Sequence, residues 1–188
     1  MFKQEHQLNW PIEDDKSQPV KTVVINTLTM GQHREFSQQH NDEDSKLLRV
    51  CISASSGLTV AELKRLTTPD YTSIENQVLE LMHFKASQLM DSGEFDIDEP
   101  TLLVPFTGDD GLEKTAYKLR PPTVATTDLM DTHKDEWDRT LFISSSCTGF
   151  SPDELARMSL PDWNQLQERL IDFLQKSADF FRQKTLKS

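Results

Sequence analysis

Glycine is scarce in this chain, with six in 188 residues, and they form no glycine-rich loop of the kind that cradles phosphates. Cysteine is scarcer still. Cys51 and Cys147 have no C-x-x-C spacing, so neither a disulfide framework nor a zinc site is indicated and buried reduced thiols are the plain reading. Basic side chains are outnumbered, 20 Lys and Arg against 31 Asp and Glu, for a net charge of −11. Phosphate binding needs clustered cations that release counterions, so no nucleic-acid partner is expected. No window reaches the eighteen apolar residues of a membrane span, and the opening MFKQEHQLNW holds no apolar segment of signal-peptide type. No membrane association is expected, and the chain should remain in the cytosol where it is made.

Reactive constellations are lacking too. The five histidines (His6, His33, His40, His83, His133) show no HxxxH or HExxH spacing. Ser144–Cys147 lacks a G-x-S-x-G elbow, and Gly108–Gly111 reads GDDG without the ligand order of a calcium loop. The expectation is therefore no metal, no cofactor and no catalysis. Mean hydropathy is −0.57, which fits a soluble protein with modest cores.

What the chain does have is a phrase written twice. SGLTVAELKRLTTPDY (Ser56 to Tyr71) returns as TGFSPDELARMSLPDW (Thr148 to Trp163), 92 positions later, with six of sixteen residues identical. The offset continues through Ile74/Leu166, Val78/Leu170 and Met82/Leu174 at a helical apolar spacing. At an offset of 94, LNWPIEDD lies over LLVPFTGD and VVINTLTM over YKLRPPTV. The change of offset falls among His33 to Asp44, a polar stretch read as a loop of variable length. The expectation is an α+β fold of two tandem similar units, 1–92 and 93–188, each a β-hairpin followed by three to four short helices.

Within each copy the phrase reads as a helix corner. Gly57 and Gly149 end one helix, since glycine tolerates the left-handed conformation. Thr59 with Glu62, and Ser151 with Glu154, are capping-box pairs that start a short helix. Thr67-Thr68-Pro69-Asp70 and Ser159-Leu160-Pro161-Asp162 start a longer one, with Asp70 and Asp162 placed where the helix dipole favours negative charge. Tyr71 and Trp163 pin the corner to the core. The long helices are expected over Asp70 to Met90 and Asp162 to Phe181.

Caps and apolar residues account for most of the repetition. Arg65 and Arg157 are the repeated polar exception, read either as salt bridges to Glu62, Glu154 or a neighbouring carboxylate, or as partner contacts. Phe173, Phe180 and Phe181 form an aromatic surplus near the C-terminus. Phe180 and Phe181 lie past the repeated pattern and are read either as a partner-binding face or as packing on the other half or a self-association seam.

The pattern T-G-L-[ST]-x-x-[DE]-L-x-x-[LM]-[ST]-x-x-D-[YW] with its following amphipathic helix, carried here by SGLTVAELKRLTTPDYTSIENQVLELM and CTGFSPDELARMSLPDWNQLQERLIDFL, resembles the small tail assembly chaperones of Mu-like and P2-like tailed phages. Members of that family are usually one unit of about this half-length, so the duplication is a departure. The resemblance implies a non-catalytic protein of the host bacterial cytoplasm, absent from the mature virion. It would bind the phage tape measure protein, and further the tail tube subunits, and keep the tape measure soluble while the tube assembles. Homo-oligomerisation is an open option. The alternative is a structural tail or baseplate adaptor retained in the virion.

Overall fold

The structure, a computed structural model, describes residues 2–40, 43–90, 96 and 98–185. It is an α+β fold of two tandem similar units. The first runs β1 (Lys3–Glu13), β2 (Pro19–Asn26), α1 (Met30–Gln39), α2 (Asp44–Ser56), α3 (Val60–Leu63), α4 (Thr68–His83) and α5 (Ala86–Leu89). The second runs β3 (Thr101–Thr107), β4 (Glu113–Ala116), α6 (Val124–Met130), α7 (Glu136–Thr148), α8 (Pro152–Arg157), α9 (Leu160–Gln175) and α10 (Ala178–Thr185). Each strand pair is an antiparallel two-stranded hairpin. The expected division between residues 92 and 93 lies outside the described residues.

Two details differ from the sequence reading, and both raise the number of helical segments per unit to five. The stretch taken for a loop from His33 is largely helix α1. Its start is a capping box in which Gln32 N–H donates to the Thr29 hydroxyl (3.2 Å) and Thr29 N–H donates to Gln32 Oε1 (2.9 Å). The long helices are each interrupted at the same repeat position. Phe84 and Lys176 are extended, with ψ of 154° and 148°, so α5 and α10 are separate pieces.

Gly57 and Gly149 end α2 and α7 at φ of 71° and 77°, where a side chain would be strained. The aspartates that open α4 and α9 have a role beyond the helix dipole. Asn9 and Trp10 N–H donate to Asp70 Oδ1 and Oδ2 at 3.0 and 3.1 Å. Leu103 and Val104 N–H donate to Asp162 Oδ1 and Oδ2 at 2.8 and 3.2 Å. In both hairpins these donors fall where strand pairing slips, between Gln7 and Ile12 and between Thr101 and Phe106, just ahead of Pro11 and Pro105. Each carboxylate thus takes up two N–H groups at the slip, and so ties the hairpin to the long helix.

Burial alone pushes the Asp70 carboxyl up. The donors from Asn9, Trp10, Thr67 and His6 outweigh it and hold the group below the ordinary carboxylate range.

The cores do not respect the division into halves. One cluster, including Leu8, Val23, Ile25, Ile52, Ile74 and Val78, lies wholly in the first unit. The other gathers the second unit's Phe106, Leu155, Met158 and Leu166 but also takes in Leu28, Met30 and Cys51. Both cysteines are free and buried, and burial pushes each thiol up to about 11. The joint is a short antiparallel bridge between Thr29 and Ser159: Met30 N–H donates to Met158 O (2.8 Å) and Leu160 N–H to Leu28 O (2.9 Å). Helix α1 then crosses α8 so closely that a Cβ on Gly31 would stand 3.0 Å from Ala156 O. Farther along, Lys85 pairs with Glu168 (2.7 Å), and the Asn164 side-chain amide donates to the carbonyls of Met82 and Phe84.

Replacing Gly31 with Val is expected to cost about 1–3 kcal/mol by forcing α1 off α8, read as a lower urea midpoint. Ala125→Val, at the exposed repeat-equivalent position, should stay within about 0.5 kcal/mol of the parent. Asp70→Ala strands two N–H groups and should cost roughly 2–4 kcal/mol at pH 7. Because the folded pKa of Asp70 is depressed, its contribution is present above the unfolded value of about 3.9 and is lost as pH falls through the folded value. Urea melts of parent and variant should therefore converge in acid.

Candidate partner-binding surface

The short helices α3 and α8 are fastened to the hairpin turns by the same atoms in both units. Glu62 Oε2 accepts from Thr59 N–H (2.8 Å), closing the capping box, while Oε1 accepts from the Asp15 N–H in the first turn (2.9 Å). Glu154 does the same with Ser151 (2.9 Å) and Asp109 (3.0 Å). The capping hydroxyls return the contact, Thr59 to Asp15 (3.0 Å) and Ser151 to Asp109 (2.5 Å).

Arg65 and Arg157 complete this latch. Arg65 pairs with Asp15 and lies 3.9 Å from Glu62, while Arg157 lies 2.8 Å from Asp109 and donates to Thr107 O (3.1 Å). Hydrogen bonds from Arg65 and then Thr59 hold the Asp15 carboxyl below the ordinary range, as those from Ser151 and Arg157 do for Asp109. Both arginine side chains remain about two-fifths exposed (41% and 42%), so the outer edge of each latch faces solvent.

The two corners differ in what covers them. In the second unit α1 lies on the corner, and Met158, Leu160, Pro161 and Trp163 are all buried. Asp162 is buried there with Ser159 donating to it at 2.6 Å, yet burial dominates its three hydrogen bonds and pushes its carboxyl up. In the first unit no helix among the described residues lies on the corner: Thr68 and Pro69 are exposed, and Leu66 and Tyr71 are half-buried. Asp70 and Asp162 accept equivalent backbone and capping-hydroxyl donors, but Asp70 has His6 beside it as well, where the second unit has Pro100; that extra donor and the cover over Asp162 both act in the direction of the opposite shifts.

Beside the covered corner runs a cleft of about 410 Å³ between the units, lined by residues that include Met30, His33, Met82, His83, Trp137 and Trp163. Trp137 lies tilted against Trp163 (centroids 6.0 Å apart), and the Arg34 guanidinium lies over the Trp137 ring at 4.0 Å. Burial, and then the charge of His83, push His33 below its ordinary value.

The C-terminal aromatics gather at the other end. Phe181 lies 5.5 Å from Phe173 and 5.2 Å from Phe180, and Arg169 lies over Phe173 and Phe181 at 4.7 and 4.9 Å. All three rings are half-buried, while Ile171 and Leu174 on α9 are 50% and 42% exposed. The structure thus brings Phe173, Phe180 and Phe181 together, and sets Arg65 and Arg157 apart at the two hairpin turns.

Among the described residues no group of His, Cys, Asp or Glu could hold a metal ion, and no helix is long and apolar enough to cross a membrane.

Residues 99–175 match the model of the family described as phage tail assembly chaperone proteins, E, or 41 or 14. The matched span runs from just before β3 to the end of α9, so it contains the hairpin, the latch and the buried Asp162 of the second unit. The match supports a role in phage tail assembly. No curated protein and no solved structure compared with the chain matches it.

Acidification should loosen the cleft. The folded pKa of His33 is depressed, so the unfolded chain takes up the proton first as pH falls through about 6.5, and stability is lost from there down to the folded value. A plot of thermal midpoint against pH should therefore fall between pH 7 and 5 for the parent and flatten for His33→Gln.

Proposed function

We propose that this chain is a phage tail assembly chaperone that binds the tape measure protein, keeps it soluble while the tail tube assembles, and leaves before the virion matures. The observation that carries this reading is the family match across the second unit, residues 99–175. The host bacterial cytoplasm is the corresponding place of action, and tail tube subunits are a further partner of the same assembly step.

The geometry supplies a surface suited to such a client. A segment of long amphipathic helix is recognised by an apolar strip that accepts residues at i, i+3, i+4 and i+7. Ile171 and Leu174 form an exposed i, i+3 pair on α9, continued by the Phe173, Phe180 and Phe181 cluster. The net charge of −11 keeps the complex dispersed while that strip is occupied. Arg65 and Arg157 would offer the outer edges of their latches to acidic groups of a partner.

Co-expression with the tape measure protein tests the assignment. Phe180→Ser with Phe181→Ser should weaken capture roughly thirty-fold or more, the effect of losing an anchor worth about 2 kcal/mol, and should return the tape measure to the insoluble fraction. Undiminished capture by a folded double variant would overturn the surface assignment. Mass spectrometry of purified virions should find the chain missing; a fixed copy number would identify it as a retained adaptor instead.

A further inference from the structure

The two units are joined through unlike faces. The first unit inserts the segment Leu28–Gly31 and α1, with Met82 beside them; the second receives them on Ala156, Met158, Leu160 and Trp163. Each face has a counterpart in the other unit, and both counterparts lie open.

The counterpart of the receiving face, 92 residues earlier, is Lys64, Leu66, Thr68 and Tyr71. These four line a pocket of about 170 Å³ together with Arg49 and Leu63. Where Met158 and Leu160 are 0% and 5% exposed under α1, Leu66 is half-buried and Thr68 is exposed.

The counterpart of the inserting face is the start of α6. Thr123 caps α6 as Thr29 caps α1. Val124 stands in the place of Met30 and is 78% exposed against 4%, and Leu174 stands in the place of Met82 and is 42% exposed. With Leu129 58% exposed on the same helix, α6 presents an apolar edge that its own unit leaves open.

The charges have changed together on both sides. Leu141 and Ala156 on the covered corner are replaced by Arg49 and Lys64 on the open one, and Arg34 of the inserting helix is replaced by Asp128. The open corner thus carries two basic side chains, and α6 carries an acid where α1 has a base, a complementary change of charge.

We propose that copies of this chain associate head to tail, with Pro122–Met130 of one copy seated on the Lys64–Tyr71 corner of the next, repeating between chains the joint that unites the two halves. Ala125 replaces Gly31, and the Gly31 position leaves a Cβ only 3.0 Å from the opposing carbonyl, so α6 stands slightly farther off than α1. The contact between chains is accordingly weaker than the internal one and depends on concentration. Because the faces are unlike, a pair leaves one of each unfilled, and growth continues into a ring where the rotation closes or an open filament where it does not. This association does not rest on the client-binding reading and is tested with the purified chain alone.

Sedimentation equilibrium over a concentration series at low salt reads it directly. The parent mass should rise above the 21.6 kDa of one chain and continue past two copies. Thr68→Arg removes the receiving face and Val124→Arg the inserting one. Both positions are exposed, so thermal midpoints should stay at the parent value, and each variant alone should remain at 21.6 kDa. Asp128→Lys should act as Val124→Arg does. An equimolar mixture of Thr68→Arg and Val124→Arg retains one intact pair of faces, so it should form a dimer of about 43 kDa, twice 21.6 kDa, and stop there. A parent that stays monomeric throughout, a variant that associates as the parent does, or a mixture that stays monomeric would each overturn the proposal. The first of these would leave the corner to a client segment or to solvent.

Discussion

Two buried carboxylates hold this fold together. Asp70 and Asp162 each sit on the first turn of a long helix and accept two consecutive N–H groups from a strand whose pairing has slipped. A two-stranded hairpin is marginal in water by itself, so a hairpin in this protein persists because it is fastened to something else. The carboxylate fastens the middle of the first strand, and the Glu62 or Glu154 latch fastens the turn. Between them the hairpin is held at two points along its length, and its inner face, Leu8 and Ile25 in one unit and Leu102 and Phe106 in the other, is laid on the helices. The short helices α3 and α8 serve as the spacing between the two fastenings.

The same device meets two environments. Over the second corner lies a helix from the first unit, and the enclosed Asp162 is destabilised as an anion despite its donors. Over the first corner no helix lies among the described residues, and Asp70 is stabilised as an anion by the equivalent donors with His6 added. The contrast comes from the asymmetry of the joint together with His6, which has no counterpart beside Asp162. A symmetric pairing of the units would have covered both corners alike, whereas here one unit inserts and the other receives.

Much of the corner could be read from sequence because its signals are local. Gly57, Gly149, Thr59 with Glu62 and Ser151 with Glu154 act within four residues of where they stand. The grip of Asp70 on Asn9 and Trp10 spans about sixty positions, and an aspartate in a first turn satisfies the helix dipole whether or not a strand lies beside it. Arg65 and Arg157 were open between two readings for the same reason, since the turn aspartates Asp15 and Asp109 are fifty and forty-eight residues away in sequence. Helix α1 was legible in principle: Thr29-Met30-Gly31-Gln32 is a capping-box spacing. The polar composition from His33 onward argued for a loop, and what makes Gly31 necessary is the approach of α8 from the other unit. The interruption at Phe84 has no proline or glycine to announce it. There the freed carbonyls of Met82 and Phe84 are taken up by Asn164, again from the other unit.

The separation between α1 and its seat has a consequence during synthesis. Met30 leaves the ribosome about 130 residues ahead of Leu160, which at 5–20 residues per second is a wait of roughly 6 to 26 seconds. Over that interval the first unit can close its own cluster of Leu8, Ile25, Ile74 and Val78, but α1 lacks its seat on α8. A strongly apolar helix would be a hazard in such a nascent chain. The sequence MGQHREFSQQ, with Met30 and Phe36 as its only large apolar side chains, can wait in water and still hold the halves together when the second corner arrives.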